Sequence, residues 1–306
     1  MIRPRDNRTS LVRVRVSGRI SPARLHPEAM RIDREGRECV LPGTGGVALD
    51  VHAGDHVDGW LADHLMPGAS IEDDGDPAVA GPLHLLACLG NAVTDGLGRP
   101  LGVVAGKRGG LAPGFWAPQL VGVELSVQGE ARAVPGDRVV LEAHGRGLTL
   151  SDLPEVALAN LSPRALDALP LRQEHGVIVC AAAAILPPEV AGAGLGQDTW
   201  IGDLEIAGTG VRQSTLNTLH FGDLVVFADT DARTTRHYRR GFLAIGVVSH
   251  GGSQSPGHGI GVTILMSGPA AVLQAEIRAG AGLGSDLRAW AEPSSPAEVR
   301  AVSQSF

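Results

Sequence analysis

The side chains best equipped to move a proton in this chain are a few histidines set beside glycines. Asp63-His64 leads into a Pro67-Gly68 turn, His250 closes an apolar run that begins at Leu243, and His258 sits within Gly257-His258-Gly259-Ile260-Gly261. An imidazole has an unperturbed pKa near 6.5, so it serves as acid or base at neutral pH. His64, His250, His258 and Asp63 are therefore the candidate catalytic residues. The same four groups are nitrogen and oxygen donors of the kind that zinc or another divalent ion accepts. Their spacing matches no recognised ligand pattern, so the sequence assigns no metal and no other cofactor. A plainer reading makes the histidines structural hydrogen-bond partners.

A second group has the chemistry to hold a ligand. Lys107 and Arg108, between Gly106 and Gly109-Gly110, are suited to a carboxylate or phosphate, Lys as a point charge and Arg through its planar fork. Asn91 follows Cys88-Leu89-Gly90, Thr44 lies in Pro42-Gly43-Thr44-Gly45-Gly46, and Asp198 ends Gly192-Ala193-Gly194-Leu195-Gly196-Gln197. Glycine lets a ligand approach the backbone, whose N–H groups form concave anion sites. With Glu189 these residues make up the substrate-binding set. Each also has a bland account. The glycine runs read equally as tight turns, and Glu189 in Pro187-Pro188-Glu189 would complement the dipole of a helical first turn. Asp203 is a further carboxylate near these glycines. Cys88 has apolar neighbours and reads as an inert buried thiol. His52 and His56 are four apart, but Ala53-Gly54-Asp55 between them is a turn, not a helical face for a metal. No P-loop is present, and no Gly-x-Gly-x-x-Gly opens a helix after a strand, so nucleotide binding has no motif behind it.

The elements that must position these groups are mainly strands. Forty-two glycines and 20 prolines among 306 residues exceed what helices tolerate, and they suit short strands joined by tight turns. Aromatics make up only 3%, so Val, Leu, Ile and Ala must fill the core. Leu11 to Val16 alternates apolar and polar residues as a half-buried strand does. A Gly-Asp turn before an apolar segment recurs at Gly54-Asp55, Gly136-Asp137 and Gly222-Asp223, a unit common in small β-barrels. Helices are expected to be few: Ser162-Pro163 caps one reaching residue 169, residues 187–191 form a turn, 267–279 is the strongest candidate, and 285–291 and 296–302 make a marginal tail. The expected fold is mainly β with a few short helices and small barrel-like subdomains. Residues 1–155 and 156–306 form two β-rich halves packed as one unit.

Charge and hydropathy narrow the partners. The formal charge of −7, with only two local basic stretches, Arg3 to Arg15 and Arg236 to Arg240, neither interleaved with aromatics as stacking platforms are, argues against nucleic acid. No segment approaches the ~20 apolar residues that span a bilayer, and the N-terminus lacks the apolar stretch of a secretion signal. Three widely spaced cysteines, Cys39, Cys88 and Cys180, read as reduced thiols. A soluble, cytoplasmic protein acting on a small molecule is the expectation.

Several blocks, taken in order, resemble a prokaryotic family known as domain of unknown function 4438. They are VLPGTGG, DHLMPGAS, LACLGN, GVVAGKRGG, GRGLTLSDLPEV, ILPPEVAGAGLG, LHFGDLVV, AIGVVSH and GHGIGVTILM. The resemblance runs from about Arg31 to about Met266 and implies a β-rich fold with barrel-like subdomains. The family brings no established catalytic residues to transfer. One member is associated with forming the oxazolinone ring of indolmycin, as accessory to an ATP-dependent coupling enzyme. The resemblance thus implies a biosynthetic accessory protein or cyclase that steers a reactive intermediate, with that intermediate and a coupling enzyme as partners. Two other readings stand beside it: an independent, metal-assisted hydrolase or lyase, and a non-enzymatic protein-binding module.

Overall fold

The strands of the first half pair so that their sheet closes on itself. The computed structural model describes residues 4–24, 31–32, 35–39, 45–75, 81–110, 118–207, 216–253, 255 and 257–293. The first-half strands are β1 (Val14–Ile20), β2 (Arg31–Ile32), β3 (Glu38–Cys39), β4 (Val47–Ala48), β5 (Gly68–Glu72), β6 (Ala92–Asp95), β7 (Pro100–Arg108), β8 (Leu120–Leu125) and β9 (Arg138–Ala143). β1, β9, β6, β7, β8 and β5 pair in that order, and β5 pairs back to β1 through Arg19 opposite Glu72 and Ile20 opposite Ile71. The result is a closed six-stranded antiparallel barrel, which leaves none of the six with a free edge. Ile20, Ile71, Val93, Leu101, Val104, Val121, Val123, Val139 and Leu141 fill it, with Leu83 from the short helix α1 (Pro82–Leu86). β4 extends β5, and β2 with β3 forms a separate hairpin. A further one-turn helix, α2 (Val127–Glu130), follows β8.

The second half is built on β10 (Ala157–Leu158), helix α3 (Pro163–Ala168), β11 (Leu171–Glu174), β12 (Val177–Ala182), β13 (Ala184–Leu186), β14 (Leu204–Ile206), β15 (Leu224–Asp231), β16 (His237–His250), β17 (Ile260–Pro269), β18 (Leu273–Ile277) and helix α4 (Gly284–Ala291). Its larger sheet runs β10-β17-β16-β15-β13, with β14 also paired to β17, and β11-β12-β18 forms a smaller one. β15 shows why the apolar runs are continuous. Leu224 and Val226 face the central core, whereas Val225 and Phe227 face a second core on the other side. A strand covered on both faces has no polar alternation to display. The central core also takes Val103 and Ala105 from β7, so it joins the two halves. The backbone of Lys107 strengthens that joint: its N–H donates to Thr263 Oγ1 at 2.8 Å and its carbonyl accepts from Ser249 Oγ at 3.3 Å.

The three Gly-Asp turns share one geometry, with φ of 95° at Gly54, 96° at Gly136 and 94° at Gly222. Asp55 and Asp223 bond back to the turn backbone, accepting the N–H of His52 at 2.8 Å and of His220 at 2.9 Å. Two turns lead into β9 and β15, while the first leads only to the isolated bridge between His56 and His220. Ser162 caps α3 by accepting the N–H of Ala165. The helix expected over 267–279 is corrected. Pro269 ends β17, and after a turn the chain forms β18, parallel to β12 with Leu273 opposite Ile178 and Ala275 opposite Cys180. Burying Leu273 in the central core outweighs the loose 3.6-residue period of small side chains there. The strand expected from Leu11 begins instead at Val14. No helix among the described residues is long and apolar enough to cross a membrane.

Candidate functional site

The site forms where loops of the barrel half meet strand ends of the second half. His64 lies in the loop before β5 and is held at φ 53°. That left-handed conformation costs a non-glycine residue on the order of 1–3 kcal/mol, and such costs gather where function fixes a side chain. Two backbone bonds pin the loop to the end of β16: His64 N–H donates to the Gly252 carbonyl at 3.1 Å, and Gly251 N–H donates to that of Leu65 at 2.8 Å. From the other side, Asp203 and Glu205 are two residues apart at β14. Their side chains therefore share one face of the strand. His250 ends β16, and His258 lies in its connection to β17.

These side chains converge. His64 Nε2 stands 3.3 Å from His258 Nδ1 and 3.4 Å from Glu205 Oε2, and His258 Nδ1 is 3.0 Å from Glu205 Oε1. The ligating atoms of His64, Glu205 and His258 all lie within 4.8 Å of one another, as do those of Asp203, Glu205 and His250. His64 Nδ1 faces Asp63 Oδ2 at 2.9 Å, and Ser253 Oγ donates to the other Asp63 oxygen at 2.7 Å. With a proton on Nδ1 for Asp63, a neutral His64 turns the lone pair of Nε2 toward His258 and Glu205. Donor atoms gathered within 4.8 Å of one another form an arrangement that a cation can complete. A carboxylate fixing the far nitrogen is the usual partner of a metal-bound imidazole.

The electrostatics agree. Burial alone would raise the pKa of Glu205, but hydrogen bonding with His258 and His64 and the adjoining His64 and His250 rings hold it well below the usual carboxylate range; a cation bound here would take the place of the proton that His64 shares with Glu205. Asp63 is likewise held low: burial opposes ionisation, while His64, Ser253 and the Arg108 guanidinium favour it. Both carboxylates are thus ready-made anions in a buried setting. The side chains of Asp63 and His258 keep 15% and 14% of their surface exposed against 3% for His64, so solvent reaches the cluster from their side.

The other candidates divide. Arg108 is buried and acts on Asp63, so it belongs to the site. Lys107 points the other way: its Nζ donates to Asn160 Oδ1 at 2.8 Å and to the Trp200 carbonyl at 3.0 Å. Burial brings its pKa down to about 7. Asn91 clamps a turn, its Oδ1 accepting from Cys88 N–H and its Nδ2 donating to the His144 carbonyl. Asp198 accepts from Trp200 N–H and is exposed, as is Glu189 on a single 3-10 turn (Pro188–Val190). Thr44 lies outside the described residues. Cys88 is buried, and its thiol is pushed up to about 11. His52 and His56 part company, the first beside Glu124 and the second stacked on His220 at 4.0 Å. A cavity of about 500 Å³ between the barrel and α4, lined by Arg15, Arg138, Arg164 and Trp290 among others, holds none of the clustered histidines.

Glu205 is the principal residue that sequence reasoning missed, and Asp203 was seen only as a nearby carboxylate. The available signal was Gly202-Asp203-Leu204-Glu205-Ile206. Two acids alternating with Leu204 and Ile206, both buried, mark a strand that turns charge inward.

Fold and site together define a two-part β protein, a closed barrel docked on a mixed sheet with a buried histidine–carboxylate centre at the joint. Residues 30–167 match the model of the domain of unknown function DUF4438, N-terminal, and residues 168–287 match its C-terminal counterpart; the chain belongs to the DUF4438 family. The crystal structure of TM1086 is similar over 93% of this chain and 99% of that one, with 31% identity and a TM-score of 0.84. No curated protein matches. The boundary between the two family models falls within α3, so the site draws Asp63, His64 and Arg108 from one family region and Asp203, Glu205, His250 and His258 from the other.

Proposed function

We propose that this protein is a metal-assisted hydrolase acting on a small molecule. The observation that carries this reading is the convergence of His64 Nε2, His258 Nδ1 and the Glu205 carboxylate, with His64 oriented from behind by Asp63 and Ser253. Two imidazoles and a carboxylate with room for a further ligand form the donor set of catalytic zinc-type sites. A bound divalent ion supplies Lewis-acid chemistry there, polarising a carbonyl or activating a water molecule. The residues divide the remaining work. His64, His258 and Glu205 bind the ion, Asp63 fixes the His64 tautomer, and Arg108 provides positive charge beside Asp63 for an anionic part of the substrate. Overall, one water adds across an ester or amide bond: its oxygen goes to the carbonyl carbon, one proton to the leaving group and the other to solvent.

The test is metal content together with activity. The full chain, stripped with a chelator and reloaded with zinc or manganese, is assayed against a panel of small esters, amides and lactams. Retention of a stoichiometric ion, and hydrolysis lost on stripping and regained on reloading, is the expected result. Failure of the reloaded chain to retain any ion would overturn the reading. The accessory or cyclase reading would then regain weight. It predicts a metal-independent change in product ratio when the chain is added to an ATP-dependent coupling reaction.

A further inference from the structure

The centre has a second half, built on the same plan as the first. His250 Nδ1 lies 2.8 Å from the Gly251 carbonyl, which can only accept, so the proton of a neutral His250 sits on Nδ1. The other nitrogen, Nε2, lies 2.8 Å from Asp203 Oδ2, a contact held by a proton that a bound cation would replace. The second Asp203 oxygen is already engaged, accepting the Gly109 N–H at 3.0 Å, which fixes the direction of Oδ2. His250 and Asp203 are 0% and 3% exposed in their side chains. An imidazole anchored through its far N–H, with its near nitrogen against a fixed and buried carboxylate, reproduces the construction around His64.

Glu205 links the halves. Its carboxylate falls within 4.8 Å of the ligating atoms of both sets, and the His64 and His250 rings are 5.1 Å apart. Its Oε2 also accepts the Gly259 N–H at 2.7 Å, which holds the carboxylate between the two groups. From this geometry we infer that the centre is dinuclear: His64 and His258 bind one divalent cation, Asp203 and His250 bind a second, and the Glu205 carboxylate bridges them. This inference rests on the single-ion reading above and extends it. Mixed imidazole and carboxylate donors select zinc, manganese or ferrous iron over magnesium, which prefers oxygen ligands throughout. Two ions about 3.5–4 Å apart are the arrangement that clamps both the attacking and the leaving oxygen of a displacement.

Stoichiometry separates one ion from two. The full chain is stripped, titrated with manganese alone, and measured by elemental analysis and by electron paramagnetic resonance. Two ions per chain with an exchange-coupled spectrum are expected. In Asp203→Asn and His250→Ala one ion should remain, and its spectrum should become that of an isolated manganese. One ion per wild-type chain at saturation, or two without coupling, would overturn the dinuclear centre while leaving the single-ion reading intact. No bound ion would overturn both. Should either variant fail to fold, the wild-type count and its coupling still distinguish a dinuclear centre from a mononuclear one.

Discussion

Asp63 contributes no ligating atom to the proposed first ion, yet its side chain fixes which nitrogen of His64 faces inward. Asp63→Asn keeps the shape and removes the charge. An outer partner of this kind typically accounts for 10–100-fold in metal affinity, so the variant should bind zinc about that much more weakly in a calorimetric or competition titration. Lys107 carries a separate residue-scale prediction, because burial brings its pKa from 10.5 down to about 7. Between those values the unfolded chain binds more protons than the folded one, so this group makes stability rise with pH. The charged form is the penalised one. Lys107→Met should therefore gain most over the wild type near pH 7, and its advantage should shrink as pH rises toward roughly 8.5. Arg236, brought down by burial to about 10, remains charged across that window. Cys88, pushed up to about 11, stays protonated when folded, and His84, well below its usual range, stays neutral. Denaturant melts at several pH values read the difference, and a constant gap would refute it.

At the scale of elements, β17 makes space for the proposed second ion site through a missing side chain. A Cβ on Gly261 would collide with His250 Nε2. The ring cannot swing aside without leaving both Asp203 and the Gly251 carbonyl. Gly261→Ala should therefore displace His250 and lose the second ion while His64 and His258 retain the first, a change from two ions to one in the manganese titration. The same element shows what the sequence could convey. Strand-end histidines beside glycines were legible because their neighbours gave clear turn and strand patterns, and His64, His250 and His258 do meet in space. The barrel-type turns were legible for the same reason, each needing a positive φ that glycine supplies. Pairing was not legible. Nothing in Leu273-Gln274-Ala275-Glu276-Ile277 reports that its partner is β12, about a hundred residues earlier, and small residues fit a helical period by chance. The direction of Lys107 was not legible for the same kind of reason. Strand alternation sends it and Arg108 to opposite sides, and only the docked second half shows which side holds the carboxylates.

On the scale of the whole molecule, the centre is also a fastener. Asp63, His64 and Arg108 come from the barrel half, while Glu205, His250 and His258 come from the sheet half, so an ion bound there is held by both. The imidazoles and carboxylates it would join are buried at the joint, where charge interactions are screened far less than at the surface. Removing the ion therefore costs more than a ligand at a surface loop would. Any species that binds only the folded form stabilises it by RT ln(1 + [L]/Kd), about 2.7 kcal/mol at a hundredfold excess over Kd. Loading with zinc or manganese should accordingly raise the melting temperature by several degrees, and the rise should continue with the logarithm of metal concentration past stoichiometry. His64→Ala and His258→Ala should lose most of that rise. The comparison isolates the joint from general salt effects, because magnesium at equal concentration screens charge equally but suits imidazole donors poorly. Equal stabilisation by magnesium would show that the cluster senses ionic strength and holds no specific ion. A rise confined to zinc or manganese and abolished by one histidine substitution would show that the halves are locked together through the centre.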